Sequence, residues 1–274
     1  MRNRFLLYVD LLGFTDLVQN GKEIIPDLFH ALDRSNVHTH PGSFGVIQFS
    51  DTIIVYNEFE ASSHHDKEIC VMFLCEFAQE IQLRLLGRDT FIRAFITYGP
   101  FEDTGSIPNS EYRNIRAFWG ESIISAYKTE KTIQAVGLFV DEKIEPFLMR
   151  DLFEPHPYDT HNQIWFVDTA KMLRDQFFEG SDFSYAKMNV ESSGTENLLV
   201  YDLFYLRCLY DHSHDLDLPP QVRMKYLNTW EIYRQKYNGL CCALENSSFN
   251  FDKVLELNLE PHLRKIGTSK GYFG

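Results

Sequence analysis

The sequence predicts an α+β protein: an antiparallel-rich sheet with helices over residues 1–149, then a mainly helical extension over 150–274. Three observations predict it. Short β-rich runs recur through the first half, at 5–9, 44–49, 52–56 and 91–97. Between them, 66–87 carries Ile69, Met72, Phe73, Phe77, Ile81 and Leu85 at three- and four-residue steps, the apolar stripe of a helix that Gly87 ends. From Pro146 the texture changes, with Pro146, Pro155 and Pro157 crowded into EPFLMRDLFEPHPYD.

In chain order, Phe5 to Val9 form a buried-strand signal that ends in a carboxylate, Asp10. Residues 14–33 are helix-like, interrupted near Gly21 and Pro26. The runs 44–49 and 52–56 are joined across Ser50-Asp51, a spacing that predicts a tight hairpin with Asp51 at its tip. After the helix at 66–87, the strand at 91–97 is closed by Tyr98-Gly99-Pro100, and the polar stretch 101–116 reads as a loop. Residues 119–133 return to helix and 138–140 to strand. The order β-α-β-β-α-β with a further α-β is the ferredoxin-like plan, with helices expected on one face of the sheet. Beyond it, 164–167 predicts one more strand, and Pro219-Pro220 open a helix to about residue 244. The aromatic stripe Tyr201, Phe204, Tyr205, Leu209 is read as core. His64-His65 and the run DHSHDLD at 211–217 are read as solvated surface.

The chain has 274 residues, 44% of them hydrophobic, enough for a proper core. Its 26 basic and 39 acidic residues leave a net charge of −13, which excludes a nucleic-acid polymer as partner, since phosphate backbones attract basic surface. A single nucleotide stays compatible if cations offset its phosphates. Five cysteines without a CxxC pair fit a reducing compartment and no zinc knuckle. Asp10 interrupts the first apolar run too early for a signal peptide, and no run reaches the ~20 apolar residues that span a bilayer. The expectation is a cytoplasmic protein without a membrane segment.

Asp10 at a strand end and Asp51 at a hairpin tip draw together if their strands are neighbours in one sheet. Carboxylates brought together repel unless a cation lies between them, and phosphoryl-transfer sites use such pairs to hold two divalent ions about 3.5–4 Å apart. Asp10 would equally serve as the N-cap of the helical pattern that follows it.

Three blocks taken together resemble the catalytic domain of class III nucleotidyl cyclases over about residues 5–145. YVDLLGFTDL (8–17) is similar to the family's first metal-aspartate motif, and QFSDTIIVY (48–56) to the segment with the second, Ser50 standing where Gly is usual. IRAFITYGPF (92–101), FWGESIISAYKTEK (118–131) and GLFVDEKI (137–144) follow the order of its later elements. The resemblance implies that Asp10 and Asp51, with the Leu11 carbonyl, bind two Mg²⁺ or Mn²⁺ ions. Leu12, Gly13 and Phe14 would lie along a nucleoside triphosphate, with Phe49 and Ser50 beside it. Lys128 stands at the position of a transition-state arginine, supplying a point charge in place of a bidentate fork. It further implies a homodimer whose sites form between subunits.

The departures carry information of their own. The family's ribose-orienting asparagine falls on Ile124, and its purine-reading positions fall near Gly45 and Ala117, neither of which has a polar side chain. A site that loses base-directed hydrogen bonds loses orders of magnitude in selectivity. With Phe44, Phe49 and Trp119 nearby, a narrow stacking pocket suits a one-ring base. This pattern looks like the pyrimidine cyclases of bacterial Pycsar anti-phage systems, which implies conversion of UTP, or CTP, to a cyclic monophosphate that activates a separate effector protein. The alternatives are an adenylate or guanylate cyclase of atypical pocket, and a cyclase-like sensor or scaffold without turnover.

Overall fold

A computed structural model of the chain describes residues 1–14, 18–19, 43–88, 90–104, 117–178 and 182–266. The helix expected at 14–33 and most of the loop expected at 101–116 lie outside the described residues.

The strand β1 (Arg2–Leu12) is the spine of the sheet. On one side it pairs antiparallel with β3 (Thr52–Asn57), which the hairpin joins to β2 (Phe44–Phe49). On the other side it pairs antiparallel with β4 (Phe91–Asp103) along its whole length, from Arg2 opposite Phe101 to Leu12 opposite Phe91. That partnership carries β4 through Tyr98-Gly99-Pro100, where the sequence had predicted its end. The order β2-β3-β1-β4 is continued by β6 (Gly137–Asp141), which runs parallel to β4, and then by β8 (Ile164–Asp168) and β7 (Glu154–Asp159). A two-residue strand, β5 (Phe118–Trp119), pairs with the end of β4. The fold is α+β with a mixed, antiparallel-rich sheet.

β7 holds Pro155 and Pro157, residues that cannot donate to a ladder. It lies at the sheet edge and needs only the partner on its other side. Of the segment 150–274, residues 154–168 therefore extend the sheet, and helices take over from Lys171.

Helices cover both faces rather than the one expected. On one face α1 (His64–Leu85) packs Cys70, Val71, Leu74, Ala78 and Ile81 on Leu7, Val9, Ile53 and Ala94. A capping box on Ser63 starts this helix, with its hydroxyl accepting from the Asp66 N–H and the Asp66 carboxylate accepting from the Ser63 N–H. The opposite face bears Leu6, Tyr8, Ile54, Tyr56, Phe91 and Phe95. Half of it is covered by α2 (Glu121–Glu130) through Ala126. The rest is covered by the C-terminal helices, chiefly α5 (Glu196–His214) and α6 (Pro220–Lys236), with Leu199, Leu203, Leu206, Tyr226 and Trp230. Tyr201, Tyr205 and Leu209 are buried there, as the stripe predicted. Shorter helices, α3 (Lys171–Gln176), α4 (Phe183–Ser193), α7 (Asn238–Asn246), α8 (Phe251–Leu255) and α9 (Glu260–Leu263), complete this layer. Among the described residues no helix is long and apolar enough to cross a membrane.

Candidate active site

Strand periodicity places Asp10 on the face shared with Tyr8 and Leu12, looking toward α2 and α6. Register sets it opposite Thr52 on β3 and opposite Arg93 on β4. The hairpin tip is tied to β1 by the Leu11 N–H, which donates to the Asp51 carbonyl at 2.9 Å. Ser50 makes the turn at φ +56°, in the left-handed region, and is exposed. Asp10 and the hairpin tip that carries Asp51 thus meet at one corner of the sheet, close enough that the Asp51 charge acts on Asp10. Burial pushes the Asp10 carboxyl above its usual range and the Asp51 charge adds to this, against the pull of Arg93 and Lys225.

Arg93 is the residue the sequence reading missed. Its guanidinium donates to Asp10 Oδ2 at 3.2 Å and to the Ile133 carbonyl at 3.2 Å, and it forms an ion pair with Glu130 at the end of α2. Burial pushes the Glu130 carboxyl up to about 6, Arg93 opposing this and Asp10 adding to it. An arginine inside FIRAFIT, a run otherwise fit for a fully buried strand, was the available signal, because a buried cation needs anionic partners.

Of the other expected residues, Leu12 is half-buried, Gly13 turns at φ +85° and Phe14 packs into the α1-side core. Phe49 is 74% exposed beside the tip. Ile124 and Lys128 stand one turn apart on the outer face of α2, both exposed. Tyr8 links the pieces, its hydroxyl 3.4 Å from Thr52 Oγ1 and its ring 6.4 Å from that of Tyr127 on α2.

The position near Gly45, which the resemblance assigns to base reading, has no room for a side chain. Gly45 faces Tyr56 across the ladder, and a Cβ there would fall 2.3 Å from the Tyr56 ring. That ring is buried against Phe101 at 4.8 Å and donates its hydroxyl to Asp103 at 2.8 Å. Ala117 is held by two backbone-level bonds to Thr104 and offers only a methyl group.

Asp10 and Asp51 form an oxygen-only donor set, the kind that suits Mg²⁺ or Mn²⁺. Their mutual repulsion fits a site built for cations, and Arg93 engages only one oxygen of Asp10. A second cluster, Glu154, His156 and Asp168, brings three ligand types together on β7 and β8. There the Lys236 ammonium contacts all three, reaching Asp168 at 2.8 Å and His156 at 3.1 Å, and already supplies the cation.

No family model matches the sequence, and no curated protein matches it. Solved structures do resemble it. The guanylyl cyclase domain of the RhoGC fusion protein from the aquatic fungus Blastocladiella emersonii is 14% identical, with 61% of this chain and 94% of that chain covered and a TM-score of 0.45. The guanylyl cyclase Cya2 is 15% identical, with 61% and 91% covered and a TM-score of 0.39. A bacterial light-regulated adenylyl cyclase is 13% identical, with 63% and 93% covered and a TM-score of 0.42. These three solved structures are guanylyl and adenylyl cyclases.

Proposed function

We propose that the chain is a nucleotidyl cyclase that converts a pyrimidine nucleoside triphosphate, UTP ahead of CTP, to its 3′,5′-cyclic monophosphate and pyrophosphate. The convergence of Asp10 and Asp51 at one sheet corner carries this reading. Asp10, Asp51 and the Leu11 carbonyl would hold two divalent cations. Bound there, such ions supply Lewis acidity toward the ribose 3′-hydroxyl and the α-phosphate. Arg93 orients Asp10 by donating to its Oδ2. The backbone of Leu12, Gly13 and Phe14 would run along the triphosphate, with Ser50 beside it.

Pyrimidine selectivity is supported by the Gly45–Tyr56 pair. With the Tyr56 ring filling the space beside Gly45, no side chain can reach a purine edge from there. Phe49, exposed at the tip, would stack on a single ring, and Ile124 would meet the ribose by contact alone, whereas Trp119 pairs with Glu102 at the far end of β4. Lys128 and Ile124 would come from the partner protomer of a homodimer. The cyclic product would serve as a cytoplasmic second messenger in antiviral defence, read by a separate effector protein.

The test is a panel of the four nucleoside triphosphates with Mn²⁺, scored by pyrophosphate release. UTP turnover that Asp10→Asn or Asp51→Asn abolishes, with the fold intact, is the expected result. Preferential turnover of ATP or GTP would overturn the pyrimidine assignment. A second reading, a scaffold without turnover, is favoured by the Arg93 bridge, which already neutralises Asp10 in part. Absence of pyrophosphate release from every nucleotide would establish it.

A further inference from the structure

The C-terminal helices lie on the same sheet face as Asp10, and α6 is anchored beside it. The Tyr226 ring packs on Phe91 with centroids 4.9 Å apart, two residues from Arg93 on the same side of β4. One turn further, Thr229 Oγ1 donates to the Val136 carbonyl and accepts from the Val136 N–H, both at 2.9 Å. Asn228 donates to the Gln134 carbonyl at 2.6 Å. These bonds fix the segment between α2 and β6 whose Ile133 carbonyl receives Arg93. Between Tyr226 and the turn before it stands Lys225, half-buried, whose charge acts on Asp10, Glu130 and Arg93. Among the described residues it forms no ion pair with Asp10 or Glu130, whereas Arg93 binds both.

We infer that the C-terminal helical part completes the active site, α6 bringing the Lys225 ammonium to the polyphosphate of the substrate. This rests on the cyclase reading and gives the extension a role in that same site. Electrostatics favours it. Asp10, Asp51 and Glu130 against Arg93 and Lys225 leave one net negative charge at the corner. Two divalent cations would turn this into three positive charges, close to the four negative charges of a triphosphate. Arg93 is committed to Asp10, Glu130 and Ile133, so Lys225, on a flexible four-carbon stem, is the cation able to move to a phosphate oxygen. Before substrate arrives, the same ammonium repels a divalent ion.

The experiment is calorimetric titration of the full chain with Mn²⁺ alone and then, in saturating Mn²⁺, with inorganic tripolyphosphate, which has no base or ribose. Lys225→Met should weaken tripolyphosphate binding about tenfold while binding Mn²⁺ alone at least as tightly as the parent, and Lys225→Arg should keep most of the affinity. Tripolyphosphate affinity within about twofold of the parent in Lys225→Met would overturn the inference. Should Lys225→Met fail to fold, Lys225→Gln takes its place with the same two outcomes. Asp10→Asn separates the two levels. If it binds Mn²⁺ and tripolyphosphate as the parent does, the cyclase reading itself falls. If it loses both while Lys225→Met loses neither, only the role of Lys225 falls.

Discussion

Arg93 decides whether the candidate site holds its shape. Its guanidinium is the only group bonded to both Asp10 and Glu130 among the described residues, and all three are largely removed from water. Removing one partner of a buried pair leaves uncompensated charge, which costs about 3–5 kcal/mol, more than the pair contributes when intact. Arg93→Met should therefore lower stability by about 3 kcal/mol in urea unfolding, and Arg93→Met with Glu130→Met should recover part of it. If the double variant is no better than the single one, Arg93 acts through packing alone. Gly45 is the second decisive residue. Its missing Cβ makes room for a Tyr56 ring that Phe101 and Asp103 hold in place. Gly45→Ala should cost about 1–3 kcal/mol by overpacking, and Tyr56→Ala combined with it should relieve the clash while opening the pocket. In that double variant, purine triphosphates should gain in turnover relative to UTP. An unchanged nucleotide preference would separate Gly45 from base selection.

Among the elements, those with a strong period were legible in the sequence and those defined by a partner were not. The helix α1 and the continuous apolar runs of β1 and β3 were readable in the sequence. The buried face of α1, however, is Cys70, Val71, Leu74, Ala78 and Ile81, while Ile69, Met72, Phe73 and Phe77 of the expected stripe are only partly buried. β7 was not readable, because its prolines are tolerated only at an edge, and an edge is a property of the sheet. The helix expected from Pro220 to about 244 ends at Lys236, and α7 begins at Asn238, the break falling just before Gly239. At the start of α3, the Asp202 carboxylate of α5 accepts the Met172 and Leu173 N–H groups at 2.9 and 3.3 Å, an N-terminal cap supplied from another helix. Burial pushes this carboxyl up to about 8, with Asp168 adding to the shift. An acid whose folded value exceeds its unfolded value of about 3.8 binds more protons when folded, so its contribution to stability is present at low pH and lost as pH rises toward about 8. Thermal unfolding from pH 5 to pH 8 should show a falling midpoint that Asp202→Asn flattens. A parallel slope in that variant would assign the pH dependence to other groups.

In the molecule as a whole, the two aspartates proposed for the site can be picked out of the sequence, and the groups around them cannot. Asp10 and Asp51 stand out as carboxylates ending apolar runs, a local signal. Arg93, Glu130 and Lys225 come from three further elements and gather only when the sheet and the C-terminal helices are assembled. The same difference of scale applies to Lys128 and Ile124. They are exposed on α2 beside Tyr127, whose ring lies 6.4 Å from that of Tyr8, and Phe49 leaves apolar surface at the hairpin tip. Such residues are buried most simply by a second copy, and in a two-fold dimer each α2 would face the partner's aspartates. Complementation tests this without a structure of the dimer. Asp10→Asn alone should be inactive and Lys128→Ala alone slowed by a few orders of magnitude, as for loss of a group that meets transition-state charge. In a heterodimer of the two, one site collects both lesions and the other is intact. Random mixing makes half of the dimers heterodimers, so the mixture should regain about a quarter of the parent's activity. If both residues served one site within a single subunit, every site in the mixture would keep a lesion, and the activity would stay at the average of the two variants.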